Sequence, residues 1–331
     1  MMRWPWQAKQ VAGRLVIAWS GQALAYVQAS AGKDGSFQVH RFGVERQGDD
    51  SDEAFATRLS ALGLKGQQAW GMLRSEQYHL LQIDAPPVAP EELRAAARWK
   101  IRDMVEEHLE DLTLDVLRVG EKQGRTTDNL FVITATNAHI RSLMEMGKAL
   151  GSAVDVIDIQ TLAQRNLQTA VARRNGSLAK PQAQAAIVLM SENHASLTIS
   201  ANEELFYKRR IDLGDGTDEV VFETELNENP DYPLGHGVLE DDRALRFAEE
   251  IQRSLDLWDR SWPELPLAGV NVLAAERTAE LVRWLGRQIH QPVTELDVAA
   301  LFPGFEGGSA ADRKLCWPLL GLLLRTESRK L

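Results

Sequence analysis

Apolar and polar positions alternate between two periods along the chain, and the switches mark its elements. Arg14–Ser20 is an apolar run, Gly21 and Gln22 offer a turn, and Ala23–Ala29 carries Leu24, Tyr26 and Val27. After a second turn at Gly32–Gly35, Phe37–Val44 alternates as a half-buried strand does. Ser51 then stands where a helix N-cap would, with Phe55, Leu59 and Leu62 on one face. Strands are predicted at Ala69–Leu73 and Tyr78–Ile83, and Pro86, Pro87 and Pro90 punctuate the chain after them. Pro90 suits a first helical turn, and the helix is predicted from there to Leu109.

Strands follow at Thr113–Val119 and Leu130–Thr136, separated by a polar turn. Asn137 is the expected cap of a helix bearing Ile140, Leu143, Met144 and Leu150, which Gly151 stops. A short strand at Val154–Ile157 leads into a helix that reaches Arg174. Asn175–Gln184 is polar and is the expected domain boundary.

Beyond that boundary the opening pattern returns. Ala186–Met190, Ala195–Ser200 and Leu205–Ile211 form a second three-strand meander, with turns at Glu192–Asn193 and Ala201–Glu203. Gly214–Glu240 is acidic and irregular and reads as a mobile loop. A helix over Asp241–Trp258, a strand at Val270–Ala274, a helix at Glu276–Gln288 and a strand at Val293–Leu296 come next. A helix over about 310–325 closes the chain, and Pro318 is expected to kink or divide it. Two meanders, each followed by alternating helices and strands, predict an α/β protein with duplicated lobes, the form of actin and the sugar kinases. Chance recurrence of a meander is the competing explanation at this level.

Composition narrows the function. The 331 residues fit two domains or one large one. Lys and Arg number 37 against 47 Asp and Glu, a formal charge of −10, which disfavours a general nucleic-acid binder. Cys316 is the single cysteine, so no intrachain disulfide can form, which fits a reducing compartment. Met1–Lys9 lacks the apolar run of a signal peptide. Leu15–Trp19 and Leu315–Leu324 fall well short of the ~20 residues that span a bilayer. Membrane contact is therefore expected to be indirect, through a partner.

Catalytic constellations are sparse. None of the seven histidines has a His or Cys at metal-ligand spacing, and there is no Gly-x-Ser-x-Gly segment. Cys316, between Leu315 and Trp317, reads as a buried structural thiol. His236 reads as a loop residue, and Gly214-Asp215-Gly216 as a plain turn because no helix starts directly after it.

The most informative element is the helix from Pro90. Leu93, Ala97, Ile101, Met104 and Val105 gather on one face, and Trp99 falls opposite, beside Ala95, Arg102 and Glu106. The plainer reading packs Trp99 against a neighbouring part of the fold. The sharper one makes Trp99 and Arg102 contacts for a partner, since Trp and Arg are favoured at interface hot spots. Arg94, Arg98 and Arg102 recur every four residues and read first as a solvated face.

Several segments, in order, resemble one family. They are Arg98-Trp99-Lys100-Ile101-Arg102-Asp103, Ile157-Asp158-Ile159 with Leu162, Arg165, Asn166 and Leu167, and Lys208-Arg209-Arg210-Ile211-Asp212-Leu213-Gly214. Glu250-Ile251-Gln252-Arg253-Ser254-Leu255-Asp256 and Leu320-Gly321-Leu322-Leu323-Leu324-Arg325 complete the set. The chain is similar to the MSHA pilus biogenesis protein MshI and the type IV pilus assembly PilM-like family. The resemblance implies an α/β, actin-like (ribonuclease H-like) duplicated two-lobed fold. It implies a first lobe over 1–180 with an extra PilM-type subdomain at about 85–150, and a second lobe over 181–331.

It further implies a non-enzymatic cytoplasmic scaffold, peripheral at the inner membrane, that binds the cytoplasmic tail of a PilN/MshJ-like membrane protein and other pilus assembly proteins. A type II secretion platform subunit similar to GspL is an alternative. In actin-like ATPases each meander carries an Asp-x-Gly type turn for metal and phosphate, and a Gly-Gly segment passes the adenosine. The alignment puts Ala18 and Ser20 in the first turn, Leu189 and Ser191 in the second, and Ala274 and Ala275 at the glycines. Alanine and leucine cannot orient hydrated Mg²⁺. No cofactor and no metal are therefore expected, with an ATP-binding switch as the alternative.

Overall fold

The computed structural model describes residues 13–32, 36–120, 129–176, 182–190, 194–213, 222 and 242–326. The first sheet is built from β1 (Arg14–Trp19), β2 (Ala23–Ala31), β3 (Phe37–Arg46), β4 (Gln68–Leu73) and a later strand, Val154–Ile159. Between β4 and that strand lie β5 (His79–Asp84), β6 (Leu112–Arg118) and β7 (Asn129–Thr136), so Val154–Ile159 is β8. The order across the first sheet is β3-β2-β1-β4-β8. β1 pairs antiparallel with β2, whereas β1, β4 and β8 run parallel. From Leu15 to Ala18 β1 is wholly buried, as a central strand covered on both faces must be.

The second sheet repeats this plan with β9 (Ala183–Leu189), β10 (His194–Ala201), β11 (Glu204–Asp212), β12 (Leu267–Leu273) and β13 (Val293–Glu295), in the order β11-β10-β9-β12-β13. Again the first three form an antiparallel meander and the last two join in parallel. Asn202 and Glu203 take positive φ, 48° and 69°, in the tight turn between β10 and β11.

The helices are α1 (Asp52–Ala61), α2 (Leu93–Lys100), α3 (Asn137–Ala149), α4 (Gln160–Arg174), α5 (Asp242–Ser261), α6 (Thr278–Gln288) and α7 (Ala310–Leu323). The Ser51 hydroxyl caps α1 by accepting from the Ala54 N–H, as expected. Thr136, not Asn137, caps α3, accepting from the His139 N–H. Asn137 instead donates to the Glu110 carbonyl and accepts from Thr113, tying the helix start to β6.

Two further expectations are corrected. α2 ends at Lys100 rather than Leu109, because Arg98 donates to the carbonyls of Leu109 and Leu112 and folds the following segment back. Pro318 does not divide α7, which runs unbroken with Cys316–Leu323 buried on the first sheet. Burial of that apolar face offsets the ~3 kcal/mol an internal proline costs. The Gly214–Glu240 segment lies outside the described residues except Phe222, which packs on Phe247 and Trp284.

The chain divides into two compact units, Met1–Leu167 with Val298–Leu331, and Gln168–Asp297. This differs from the 180/181 boundary: the change falls inside α4, and α7 belongs with the first unit because it packs on β1, β2 and β3. Gly321 lets α7 approach α4 closely, since a Cβ there would lie 2.1 Å from the Ala163 carbonyl oxygen. Asn166 donates to the Gly321 carbonyl at the same crossing, 3.0 Å.

Within the first unit β5, β7 and β6 make a separate three-stranded antiparallel sheet with α2 packed on β6. It has its own core of Ile83, Leu93, Ala97, Ile101, Leu114, Leu130 and Val132. The expected subdomain of about 85–150 overlaps most of this piece.

Candidate functional site

In open α/β sheets ligands gather at the carboxyl ends of parallel strands. In the first sheet those ends are Trp19, Leu73 and Ile159. The β1–β4 register runs from Arg14 opposite Gln68 to Ile17 opposite Gly71. Side chains of the unit itself stitch this edge together. The Ser20 hydroxyl accepts from the Ala23 N–H at 3.0 Å and closes its own turn. Gln77 donates its amide to the Trp19 carbonyl at 2.8 Å and accepts from the Arg74 N–H at 3.0 Å. Gln160, opening α4, accepts from the Ser75 N–H at 3.3 Å.

Deeper in, the Tyr78 hydroxyl meets Thr161 Oγ1 at 2.6 Å and accepts from the Thr161 N–H at 3.1 Å. Burial pushes this phenol up to about 12. Asp158 is buried, accepts from the Ile159 N–H and pairs with Arg325. Burial raises its pKa, and the Arg325 charge works in the opposite direction. Ala18, at the first aligned position, is sealed inside the sheet opposite Ala25.

The second sheet ends differently. Leu189 pairs with Ala195, and the Met190 N–H donates to the His194 carbonyl at 3.0 Å. Ser191 lies outside the described residues. Past β12, Ala274 is buried and its N–H donates to Thr278 Oγ1 at 2.9 Å, while that hydroxyl donates to the Ala275 carbonyl. Ala275 has φ +49°, a left-handed backbone that glycine adopts freely and alanine only with strain. Among the described residues no group of three or more His, Cys, Asp or Glu could hold a metal ion.

The inserted subdomain carries the surface feature. Trp99 is 69% exposed on α2, so it does not pack against a neighbour as the plainer expectation has it. Met104 is 50% exposed in the turn that follows. Arg102 is exposed, and its Nε lies 3.2 Å from Asp103 Oδ1. The four-residue arginine repeat is not one uniform face. Arg94 pairs with Asp115 at 3.0 Å and Arg98 is held by two backbone carbonyls, which leaves Arg102 as the member beside Trp99 without a long-range tie.

No known family profile and no curated protein matches the sequence. Solved structures do match in shape. One is the PilM–PilN type IV pilus biogenesis complex, at 15% identity over 94% of this chain and 97% of that one, with a TM-score of 0.63. The fold is actin-like. The match, together with the repeated strand order, shows the duplicated architecture. Two further structures share less. The cytoplasmic domain of EpsL, an inner-membrane component of the type II secretion system of Vibrio cholerae, has 15% identity over 61% of this chain and 71% of that one, TM-score 0.42. A Bacteroides thetaiotaomicron protein with an actin-like ATPase fold has 8% identity over 93% and 97%, TM-score 0.44.

The sequence reading missed the polar network of Gln77, Tyr78, Asp158, Gln160 and Thr161. Its signal was a pair of polar clusters directly after the apolar strands β4 and β8.

Proposed function

We propose that this chain is an actin-like scaffold of type IV pilus biogenesis, of the MSHA type, that works by holding a partner rather than by turning over nucleotide. The partner is the cytoplasmic tail of a PilN/MshJ-like inner-membrane protein, and other pilus assembly proteins dock on the same scaffold. The protein is cytoplasmic and peripheral at the inner membrane, and its membrane contact runs through that partner. No helix among the described residues is long and apolar enough to cross a membrane.

Trp99 is the observation that carries this reading. An indole 69% exposed on a packed helix is a costly surface in isolation and a natural anchor in a complex. It sits on the subdomain that interrupts the first sheet, with the Arg102 guanidinium on the same stretch of chain. The match in fold to a protein solved with PilN supports the choice of partner. Ala18, Leu189, Ala274 and Ala275 offer neither carboxylate nor glycine where the resemblance aligns a nucleotide, which supports a non-enzymatic role.

Calorimetric titration of the full chain with synthetic tails of PilN-like partners tests the proposal. Saturable binding is expected, weakened at least about tenfold in Trp99→Ala and less in Arg102→Ala. Equal affinity in a folded Trp99→Ala variant removes this surface from the interface.

A further inference from the structure

The outer edges of the two five-stranded sheets are finished differently. At β3, the edge of the first sheet, the unit's own chain takes the place of a further strand. The Val39 N–H donates to the Pro303 carbonyl at 2.9 Å, the Gln38 amide reaches the same carbonyl at 2.9 Å, and Phe42 packs on Phe305 with ring centroids 4.6 Å apart. Gly304 makes this approach possible, since a Cβ there would lie 2.2 Å from the Val39 carbonyl oxygen. β11, at the matching edge of the second sheet, has no such cover among the described residues. Its backbone pairs with β10 on one side, and no backbone group of Leu205–Asp212 bonds to a described residue beyond β10. An uncovered edge strand offers a row of N–H and C=O groups to an incoming strand.

The side chains of β11 say what kind of strand fits. Lys208, Arg209 and Arg210 follow one another in a chain whose formal charge is −10. Tyr207 and Arg209 face α5, where Ser254 holds Arg209 at 3.2 Å and Glu250 holds it at 3.0 Å. Strand alternation sends Lys208 and Arg210 to the opposite face. There Arg210 pairs with Asp212 at 2.8 Å. Lys208 makes no hydrogen bond or ion pair with a described residue, and Thr198, its neighbour across the ladder, gives its hydroxyl to Gln168 at 2.9 Å. Burial lowers the Lys208 pKa, and the Arg210 charge lowers it further. A lysine that merely guards an edge keeps its ammonium in water, whereas Lys208 is half-buried. The ladder to β10 shifts register between Ile199 and Ser200, so the regular part of β11 is Tyr207–Asp212, an ordinary strand length.

We propose that the outer edge of β11, over Tyr207–Asp212, accepts an acidic, extended segment of another protein as an added strand, with a carboxylate opposite Lys208. Directly opposed residues on neighbouring strands bring their Cβ atoms to about 4.5–5.5 Å, within reach of an ammonium–carboxylate pair. Main-chain hydrogen bonds hold the segment, and the Lys208 pair fixes its register. The inference does not rest on the Trp99 surface, which belongs to the other unit.

The test is NMR-detected hydrogen exchange on the isotope-labelled full chain. The probe is a short blocked peptide of alternating Val and Glu, with matched Val–Gln and Val–Lys peptides beside it. The Val–Glu peptide should slow exchange of alternate β11 amides along a saturable curve, and should bind at least about threefold more tightly than Val–Gln. Lys208→Met should weaken it about fivefold, and Lys208→Glu should reverse the preference toward Val–Lys. Loss of packing alone cannot produce that reversal. Amides of β11 that do not respond, or respond equally to the Glu, Gln and Lys peptides, overturn the proposal. So do amides already protected in the free chain, which would mean that its own residues cover the edge. Protection that grows with protein concentration alone also overturns it, by making a second copy the occupant. The wild-type comparison of the peptides decides the matter even if a Lys208 variant fails to fold.

Discussion

The two five-stranded sheets share one strand order but fill the same gap in opposite ways. Between β4 and β8 the chain builds a three-stranded subdomain with its own core, and between β12 and β13 it inserts little more than α6. Each insertion carries a tryptophan on a helix. Trp284 on α6 is 2% exposed and packs on Phe222, whereas Trp99 on α2 is 69% exposed. The parallel pairing of the flanking strands is the same in both sheets, so the frame does not dictate what the crossover does. A crossover that stays buried supports the frame; one with a core of its own is free to present a side chain outward.

Replacing each tryptophan with alanine is the sharpest way to break this comparison. Trp284→Ala should cost about 3–5 kcal/mol in urea denaturation, because it removes a buried aromatic and leaves a cavity. Trp99→Ala should move stability by no more than about 0.5 kcal/mol, its effect confined to partner affinity. A large stability loss at Trp99 would mean that its side chain packs on something and is not an anchor.

Two helix glycines give the next contrast. Gly321→Ala forces a Cβ against the Ala163 carbonyl and should destabilise by about 1–3 kcal/mol. Gly286→Ala on α6 meets only Val293 at 3.9 Å and should stabilise by roughly 0.5–1 kcal/mol through helix propensity. Paired denaturation curves would reveal both signs, and a neutral Gly321→Ala would show that the α4–α7 crossing is looser than described. Ala275→Gly relieves a left-handed backbone and should likewise raise stability by about 0.5–1 kcal/mol, read as a shift in urea midpoint.

Much of the frame is legible in the amino-acid pattern, for a plain reason. Both meanders are runs of apolar residues broken by short polar turns, and strand burial leaves its mark directly on Arg14–Trp19 and Ala183–Leu189. What stayed hidden depends on contacts distant in sequence. The end of α2 is set by Arg98 reaching the carbonyls of Leu109 and Leu112. The membership of α7 in the first unit depends on its packing against β1, β2 and β3, which no local pattern encodes. Helical spacing places the indole of Trp99 opposite the core face, but whether anything covers it is decided by the fold.

The central claim is that the sheet edges no longer serve a magnesium nucleotide. The most direct measurement is titration of the full chain with a fluorescent ATP analogue, once with excess Mg²⁺ and once with EDTA, with phosphate release followed in parallel. The account predicts the same binding curve in both and no release of phosphate above buffer. Saturable binding that appears only with Mg²⁺, or steady phosphate release, would contradict it.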